Sequence, residues 1–541
     1  MALSRRPGRS GNALLLTVCL FIVACGNLSF FSRLQQAFPT SGGSLPELLS
    51  LAAAFLALNV LLLGALAFGK LTRPVLAAAL LIAAPAAYFM DSYGTVIDKD
   101  MLRNVLQTNP AEVLDLVTAR LLAYVILLGV LPAFLVWRTR LAWRGWRREL
   151  ASRAGLLLLS LLAIAALTVV SGSFYASFLR GHKSLRGYAN PLYPLYSAAG
   201  LMRGAQASER GARPATIAPD ASITRADGRR RLVLLVIGEA ARADRFALNG
   251  YARDTTPRLR EAGAISLDNV SACGTSTAIS VPCMFSARGM ARFEPQAAGS
   301  EENLLDVLQR AGVNVLWLDN NSDSKGAAAR VPYRSFKAAD VNTICDSECR
   351  DEGMLVPLQE YIDAHPRDDI VIVLHQMGNH GPAYYKRYPA SFEKFRPACR
   401  SDDLGRCSRE EIGNAYDNAL LYTDHFLGEA IALLGRNDAR FATALFYLSD
   451  HGESLGEGGL FLHGLPRAVA PQAQLRVPAI FWFGSGFPVI DRDALLLDRD
   501  RPFSHDNFFH TVLGLLDVRT AWYRPELDIL AGSRGDPKQH P

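Results

Sequence analysis

Asp450-His451-Gly452-Glu453 is the best local metal-binding pattern in this chain of 541 residues. It ends an apolar run, so a carboxylate and an imidazole would stand at a strand end where both can approach one cation. Gly452 would let the backbone turn tightly there. Glu239 closes another apolar run, RLVLLVIGE, and offers a third ligand. A second cluster is Cys273-Gly-Thr-Ser-Thr277-Ala-Ile-Ser-Val-Pro-Cys283. If its two cysteines pair, a short loop full of hydroxyls is held rigid. A threonine coordinated to a dication can lose its proton near neutral pH and become an alkoxide nucleophile. If Thr277 also opens a helix, that N-terminus would favour an incoming anion. The competing readings are a helix-capping cluster for the hydroxyls and a solvated strand end for Glu239. Spacing alone does not choose.

These groups need a scaffold, and the pattern from residue 231 onward supplies one. NVLWLDNN (314–321), DIVIVLHQMGNH (369–380), ATALFYLSDHGE (442–453) and VPAIFWF (477–483) repeat the design of RLVLLVIGE. Continuous apolar runs alternating with helical segments predict an α/β domain, a mostly parallel sheet with helices on both faces. Ligands of such sheets bind beyond the carboxyl ends of the strands. Glu239, Asn320, Asn321, His375, His380, Asp450 and His451 all fall at such ends.

The N-terminal part is of another kind. Five apolar stretches, at about 12–31, 46–68, 74–90, 119–137 and 155–176, are each near the roughly 20 residues that a helix needs to cross hydrocarbon. Residues 1–176 carry 15 Lys/Arg and 7 Asp/Glu, which accounts for the chain's net charge of +6 without a nucleic-acid partner. The clusters around Arg5, Lys70 and Arg144 all fall on one side if the N-terminus is cytoplasmic. Five crossings then put everything after about residue 177 outside the cytoplasm. Cysteine usage agrees: six of the eight come in close pairs in the polar part, which suggests disulfides in an oxidising compartment. Residues 1–176 are therefore expected to form a five-helix transmembrane domain, 177–230 a membrane-proximal connector, and 231–541 the catalytic domain. In the loop at 91–118, Asn104, Thr108 and Glu112 recur every fourth residue, with a helix break expected at Pro110. They read either as a solvated face or as a polar cup for a lipid headgroup.

Several runs match one family in the same order: Glu239, CGTSTAISVPCMFS (273–286), DNNSDSKG (319–326), HQMGNHGPAYYKRY (375–388), NAYDNALLYTD (414–424), and SDHGESLGE with the later His463. The chain resembles the phosphoethanolamine transferases that modify lipid A, including the mobile colistin-resistance enzymes, along essentially its whole length. The resemblance implies a soluble domain of alkaline phosphatase/sulfatase type in the periplasm, on a multi-pass inner-membrane anchor. It implies that Glu239, Thr277, Asp450 and His451 bind zinc, with Thr277 the nucleophile. Asn321, Lys325, His380 and His463 would line the substrate site, the two histidines binding either the phosphoethanolamine or a second zinc. Manganese is an alternative metal for so oxygen-rich a set. Asn104, Thr108 and Glu112 would form the headgroup pocket. The implied disulfides are Cys273–Cys283, Cys345–Cys349 and Cys399–Cys407.

The implied reaction takes phosphoethanolamine from phosphatidylethanolamine to a phosphate of lipid A through a covalent intermediate on Thr277. A monomer among membrane lipids is expected. Loss of surface negative charge would weaken attraction for cationic peptides such as polymyxins. A core sugar or another glycan is the alternative acceptor. A sulfatase would need Cys or Ser where Thr277 stands, and a non-catalytic scaffold or sensor would not need the intact ligand set.

Overall fold

The computed structural model describes residues 8–39, 45–108, 110–172, 174–175, 178, 182–208, 214–225 and 227–534. The chain divides into two compact units, Met1–Leu102 with Leu116–Met202, and Arg103–Asp115 with Arg203–Pro541. The boundary at 202/203 falls inside the stretch 177–230. The short segment 103–115 goes with the C-terminal unit.

In the first unit, Leu45–Leu66, Gly69–Tyr93, Ala119–Arg138 and Trp146–Val170 are long and apolar enough to cross a membrane. Leu158, Leu159, Leu161, Leu162 and Val169 are exposed, so the outward surface of the last of these helices is hydrocarbon. The expected first span, 12–31, is not one straight helix. It is a pair, Gly11–Cys25 and Leu28–Ala37, bent by 58°, which makes a fifth crossing only if the pair counts as one span. Two asparagines explain the bend. Asn27 Nδ2 donates to the carbonyls of Ile22 and Asn190 (2.9 Å each), and Asn190 Nδ2 donates to those of Gly26 (2.9 Å) and Ala83 (2.8 Å). Asn190 thus satisfies the Gly26 carbonyl that the broken helix leaves behind, as a low-dielectric surrounding requires.

The second unit is built on an eight-stranded sheet. In chain order its strands are β1 (Arg231–Gly238), β2 (Ile265–Ser271), β3 (Val313–Asp319), β4 (Tyr333–Ser335), β5 (Asp369–His375), β6 (Ala442–Ser449), β7 (Arg476–Phe483) and β8 (Phe503–Ser504). Their order across the sheet is β8-β2-β7-β6-β1-β5-β3-β4. Every residue of the central β1 is buried. Leu232, Leu234 and Val236 pack on one face with Leu420, Phe426 and Leu427 of the helix Arg409–Asn437. Val233, Leu235 and Ile237 pack on the other with Phe508 and Val512 of the helix Asp506–Leu515. Side chains alternate with period two, and both faces are covered, so the strand reads as an unbroken apolar run. The long helix starts where Ser408 and Glu411 form a capping box.

The α/β reading holds, with one refinement. VPAIFWF forms β7, which runs antiparallel to both neighbours, β2 and β6. Two reversals restore direction, so β2 points the same way as β6. The carboxyl ends of β1, β2, β3, β5 and β6 therefore open at one edge of the sheet.

Candidate metal centre and nucleophile

Four side chains from three of those strand ends meet in the interior. Glu239 follows β1, Asp450 and His451 follow β6, and Thr277 comes six residues after β2. All four are buried, with Asp450 and His451 at 0% exposure. Thr277 is the first residue of the helix Thr277–Met284, and the disulfide Cys273–Cys283 brackets it. Its hydroxyl donates to Glu239 Oε2 at 3.0 Å and lies 3.4 Å from His451 Nε2. His451 Nε2 is 3.3 Å from Glu239 Oε1 and 3.4 Å from Asp450 Oδ2. His451 Nδ1 pairs with the Gly452 carbonyl at 2.9 Å, which leaves Nε2 as the nitrogen available to a metal. The close packing explains Gly452 itself: a Cβ there would stand 2.1 Å from the carbonyl oxygen of Ala473.

Two buried carboxylates side by side demand a cation. Glu239 Oε1 and Asp450 Oδ2 have no hydrogen-bond partner among the described residues. Burial pushes the Asp450 carboxyl up, and Glu239 adds to this, to about 6. Burial also acts to raise Glu239, but His451, His380 and His463 outweigh it and hold the carboxyl well below the usual range. Burial would lower His451, yet Asp450 and Glu239 raise it to about 10. A proton on His451 thus supplies the missing positive charge. One ligand atom from each of Glu239, Asp450 and His451 lies within 4.8 Å of the others. With Thr277 Oγ1 this makes a mixed O and N set of four that fits a tetrahedral dication.

The Sulfatase family model matches residues 231–518, and the Phosphoethanolamine transferase EptA/EptB model matches residues 55–205. The phosphatidylethanolamine transferase Mcr-1 of Escherichia coli is 42% identical over 533 residues, covering 94% of this chain and 97% of that protein. The chain belongs to the phosphoethanolamine transferases. The integral membrane lipooligosaccharide phosphoethanolamine transferase A (EptA) from Neisseria meningitidis has a matching structure, with a TM-score of 0.93 and 34% identity over 98% of this chain and 100% of that one. The C-terminal periplasmic domain of the phosphoethanolamine transferase EptC from Campylobacter jejuni matches at a TM-score of 0.53 and 41% identity, over 60% of this chain and 99% of that one.

Around the centre of this transferase the other expected residues fall into place unevenly. Asn321, fully buried, donates through Nδ2 to Glu239 Oε2 and to the Gln376 carbonyl, 2.7 Å each. In this structure it orients the Glu239 carboxylate. His463 lies against His451 with the rings tilted by 46° and their centroids 4.3 Å apart, and its Nδ1 lies 3.2 Å from Glu453 Oε1. His380 is 5.5 Å from His463 by ring centroids. Lys325 Nζ donates to the carbonyls of Ser322 (2.8 Å) and Gln107 (3.1 Å).

The segment 103–115 is fastened to its unit by charge. Asp115 pairs with Lys386 (2.6 Å) and Arg387 (2.9 Å). Burial would raise the Asp115 carboxyl, but Arg387 and Lys386 prevail and lower it. Arg387 Nε also donates to the His380 carbonyl at 2.7 Å, so one guanidinium joins the segment to the loop that carries His380. The helix does break at Pro110: Lys99–Gln107 ends and Pro110–Asp115 begins. Thr108 Oγ1 donates to the Asn104 carbonyl at 2.7 Å. The Glu112 side chain lies outside the described residues. All three disulfides, Cys273–Cys283, Cys345–Cys349 and Cys399–Cys407, are present.

Sequence reasoning missed His505. Its Nδ1 accepts the Cys273 N–H and its Nε2 pairs with the Ser449 carbonyl, 3.0 Å each. Burial lowers this ring to about 3, so it stays neutral with its hydrogen on Nε2. It ties the start of the Thr277 loop to the residue before Asp450. Nothing in PFSHDN signals that role. Glu453 was in view only as part of its motif, although it is fully buried beside His463.

Proposed function

We propose that this transferase moves phosphoethanolamine from phosphatidylethanolamine to a phosphate of lipid A, carrying it covalently on Thr277. The observation behind this reading is the Thr277 hydroxyl, buried at a helix N-terminus within reach of Glu239 and His451. A zinc ion held by Glu239, Thr277, Asp450 and His451 would lower the pKa of the hydroxyl and offset charge on the phosphoryl oxygens. Metal analysis of the purified protein separates zinc from manganese.

In the first step Thr277 passes its hydroxyl proton to Glu239 Oε2, to which it already donates, and Oγ1 bonds to phosphorus while the bond from phosphorus to the diacylglycerol oxygen breaks. That oxygen takes up a proton, for which His463, held by Glu453, is the assigned donor. In the second step a lipid A phosphate oxygen gives its proton to His463 and bonds to the same phosphorus, the bond to Thr277 breaks, and Oγ1 takes its proton back from Glu239. His380 and Lys325 are assigned to clamp the phosphoethanolamine, and Asn104, Thr108 and Glu112 to hold a lipid headgroup. Asn321 keeps Glu239 aimed inward. A second zinc between His380 and His463 is the alternative use of that pair. The protein works as a monomer in the inner membrane with the C-terminal unit in the periplasm, and its product lowers polymyxin susceptibility.

Mass spectrometry of lipid A from cells with and without the gene tests the acceptor. Phosphoethanolamine on a lipid A phosphate is the expected result. Its appearance only on a core sugar would assign the acceptor to the glycan instead.

A further inference from the structure

Two cavities lie at the C-terminal end of the Thr277 helix, and none of Glu239, Thr277, Asp450 and His451 lines either. The smaller, about 50 Å³, is lined by Pro282 of that helix, by Lys325, and by Arg288 and Glu301. The larger, about 470 Å³, is lined by Arg288, Glu301, Arg292, Arg524, Trp522 and His510 among others. Arg288 and Glu301 line both, so the two cavities adjoin as one groove on either side of that pair, with Lys325 lining the smaller. At the junction Arg288 Nε donates to Glu301 at 2.7 Å, which neutralises that pair. Arg292 and Arg524 are exposed, and neither forms an ion pair among the described residues. Trp522 is 42% exposed beside them. His510 Nδ1 accepts the Arg524 backbone N–H at 3.2 Å. Burial and Arg524 hold its pKa down to about 4, so the neutral ring keeps a hydrogen on Nε2.

Two exposed guanidinium groups without an ion pair among the described residues, an indole and a ring N–H around a space of this size suit a sugar that carries an anionic group. We infer that this groove binds the part of the acceptor that does not react: a second phosphate and its sugar on an anionic glycolipid headgroup. The inference rests on the lipid A reading above and narrows it to acceptors with two separated anionic groups. The reacting phosphate would sit at Thr277 and the other at Arg292 and Arg524.

The test uses full-length transferase in detergent, with phosphatidylethanolamine as donor and lipid A bearing two phosphates or one as acceptor. The variants are Arg292→Glu combined with Arg524→Glu, and Trp522→Ala. In the arginine variant KM for the two-phosphate acceptor should rise about ten-fold, the usual worth of a charged hydrogen-bonded contact, while kcat stays within about two-fold. KM for the one-phosphate acceptor should move by less than about two-fold, and Trp522→Ala should show a smaller shift of the same pattern. An unchanged KM for the two-phosphate acceptor, or an equal rise with both acceptors, overturns the groove. Wild-type enzyme that loads Thr277 but transfers to neither acceptor overturns the lipid A reading instead. The groove is then judged by equilibrium binding of the two-phosphate glycolipid, which must weaken about ten-fold in the arginine variant, and equal binding overturns it.

Discussion

The Thr277 cluster and the segment 103–115 belong to the same unit but are held by different physics. Glu239, Thr277, Asp450 and His451 are buried, sit at strand and helix ends, and are locked by Asn321, His505 and a disulfide. The segment 103–115 lies at the surface. Leu106 is 77% exposed and Leu114 is 69% exposed, and the segment is fastened mainly by Asp115 with Lys386 and Arg387. Rigid, dry geometry suits bond making at phosphorus, where small displacements cost rate. An exposed apolar strip with a charged fastening suits a lipid surface that varies. Changes in the first region should therefore remove chemistry, and changes in the second should weaken only the handling of lipid.

The largest effects belong to the cluster. Glu239→Gln or His451→Ala should lower transfer by at least about a thousand-fold and lose the bound metal. Metal retained with normal turnover in either variant would break the distinction. Metal binding itself should be proton-coupled. His451, raised to about 10, carries a proton in the metal-free protein at pH 7.5 and must release it to ligate. Affinity should then rise as pH rises, by about ten-fold per unit between pH 7 and 9, with at least one proton released per ion in calorimetry across buffers of different ionisation enthalpy. Binding with no proton release would contradict the protonated His451.

His505→Ala should come next. It leaves the Cys273 N–H and the Ser449 carbonyl buried without partners, a cost of about 1–3 kcal/mol for each group. Denaturant unfolding should show that loss together with a fall in kcat. Full stability would mean that His505 does not tie the loop to the strand. The smallest effect is expected at Asp115. Asp115→Asn should lower kcat/KM for lipid substrates by about five-fold with metal content unchanged. Asp115→Lys with Lys386→Asp should restore part of it. A loss as large as that of Glu239→Gln would show that the fastening is part of the chemistry.

How far the fold and site were legible follows from the same contrast. Fully buried central strands such as β1 must be continuous apolar runs, so their ends, and Glu239, Asp450 and His451 with them, stand out in the sequence. Thr277 was visible through its bracketing cysteines, and the long family match ordered the rest. β2 was not visible, because ISLDNVS mixes polar and apolar residues. His505 lies 56 residues from Ser449, and Lys386 lies 271 residues from Asp115, so no local pattern joins either pair. The bend at Gly26-Asn27 was hidden because hydropathy counts apolar residues and is blind to direction. Asn190, which shares that bend, is 163 residues from Asn27.

The central claim is that Thr277 carries the transferred group. Full-length enzyme is incubated with phosphatidylethanolamine but no acceptor, digested, and read by mass spectrometry. The account predicts a gain of about 123 Da, one phosphoethanolamine ester, on Thr277, abolished in Thr277→Ala along with transfer. Full transfer by Thr277→Ala, or the same gain on a different residue, would contradict it.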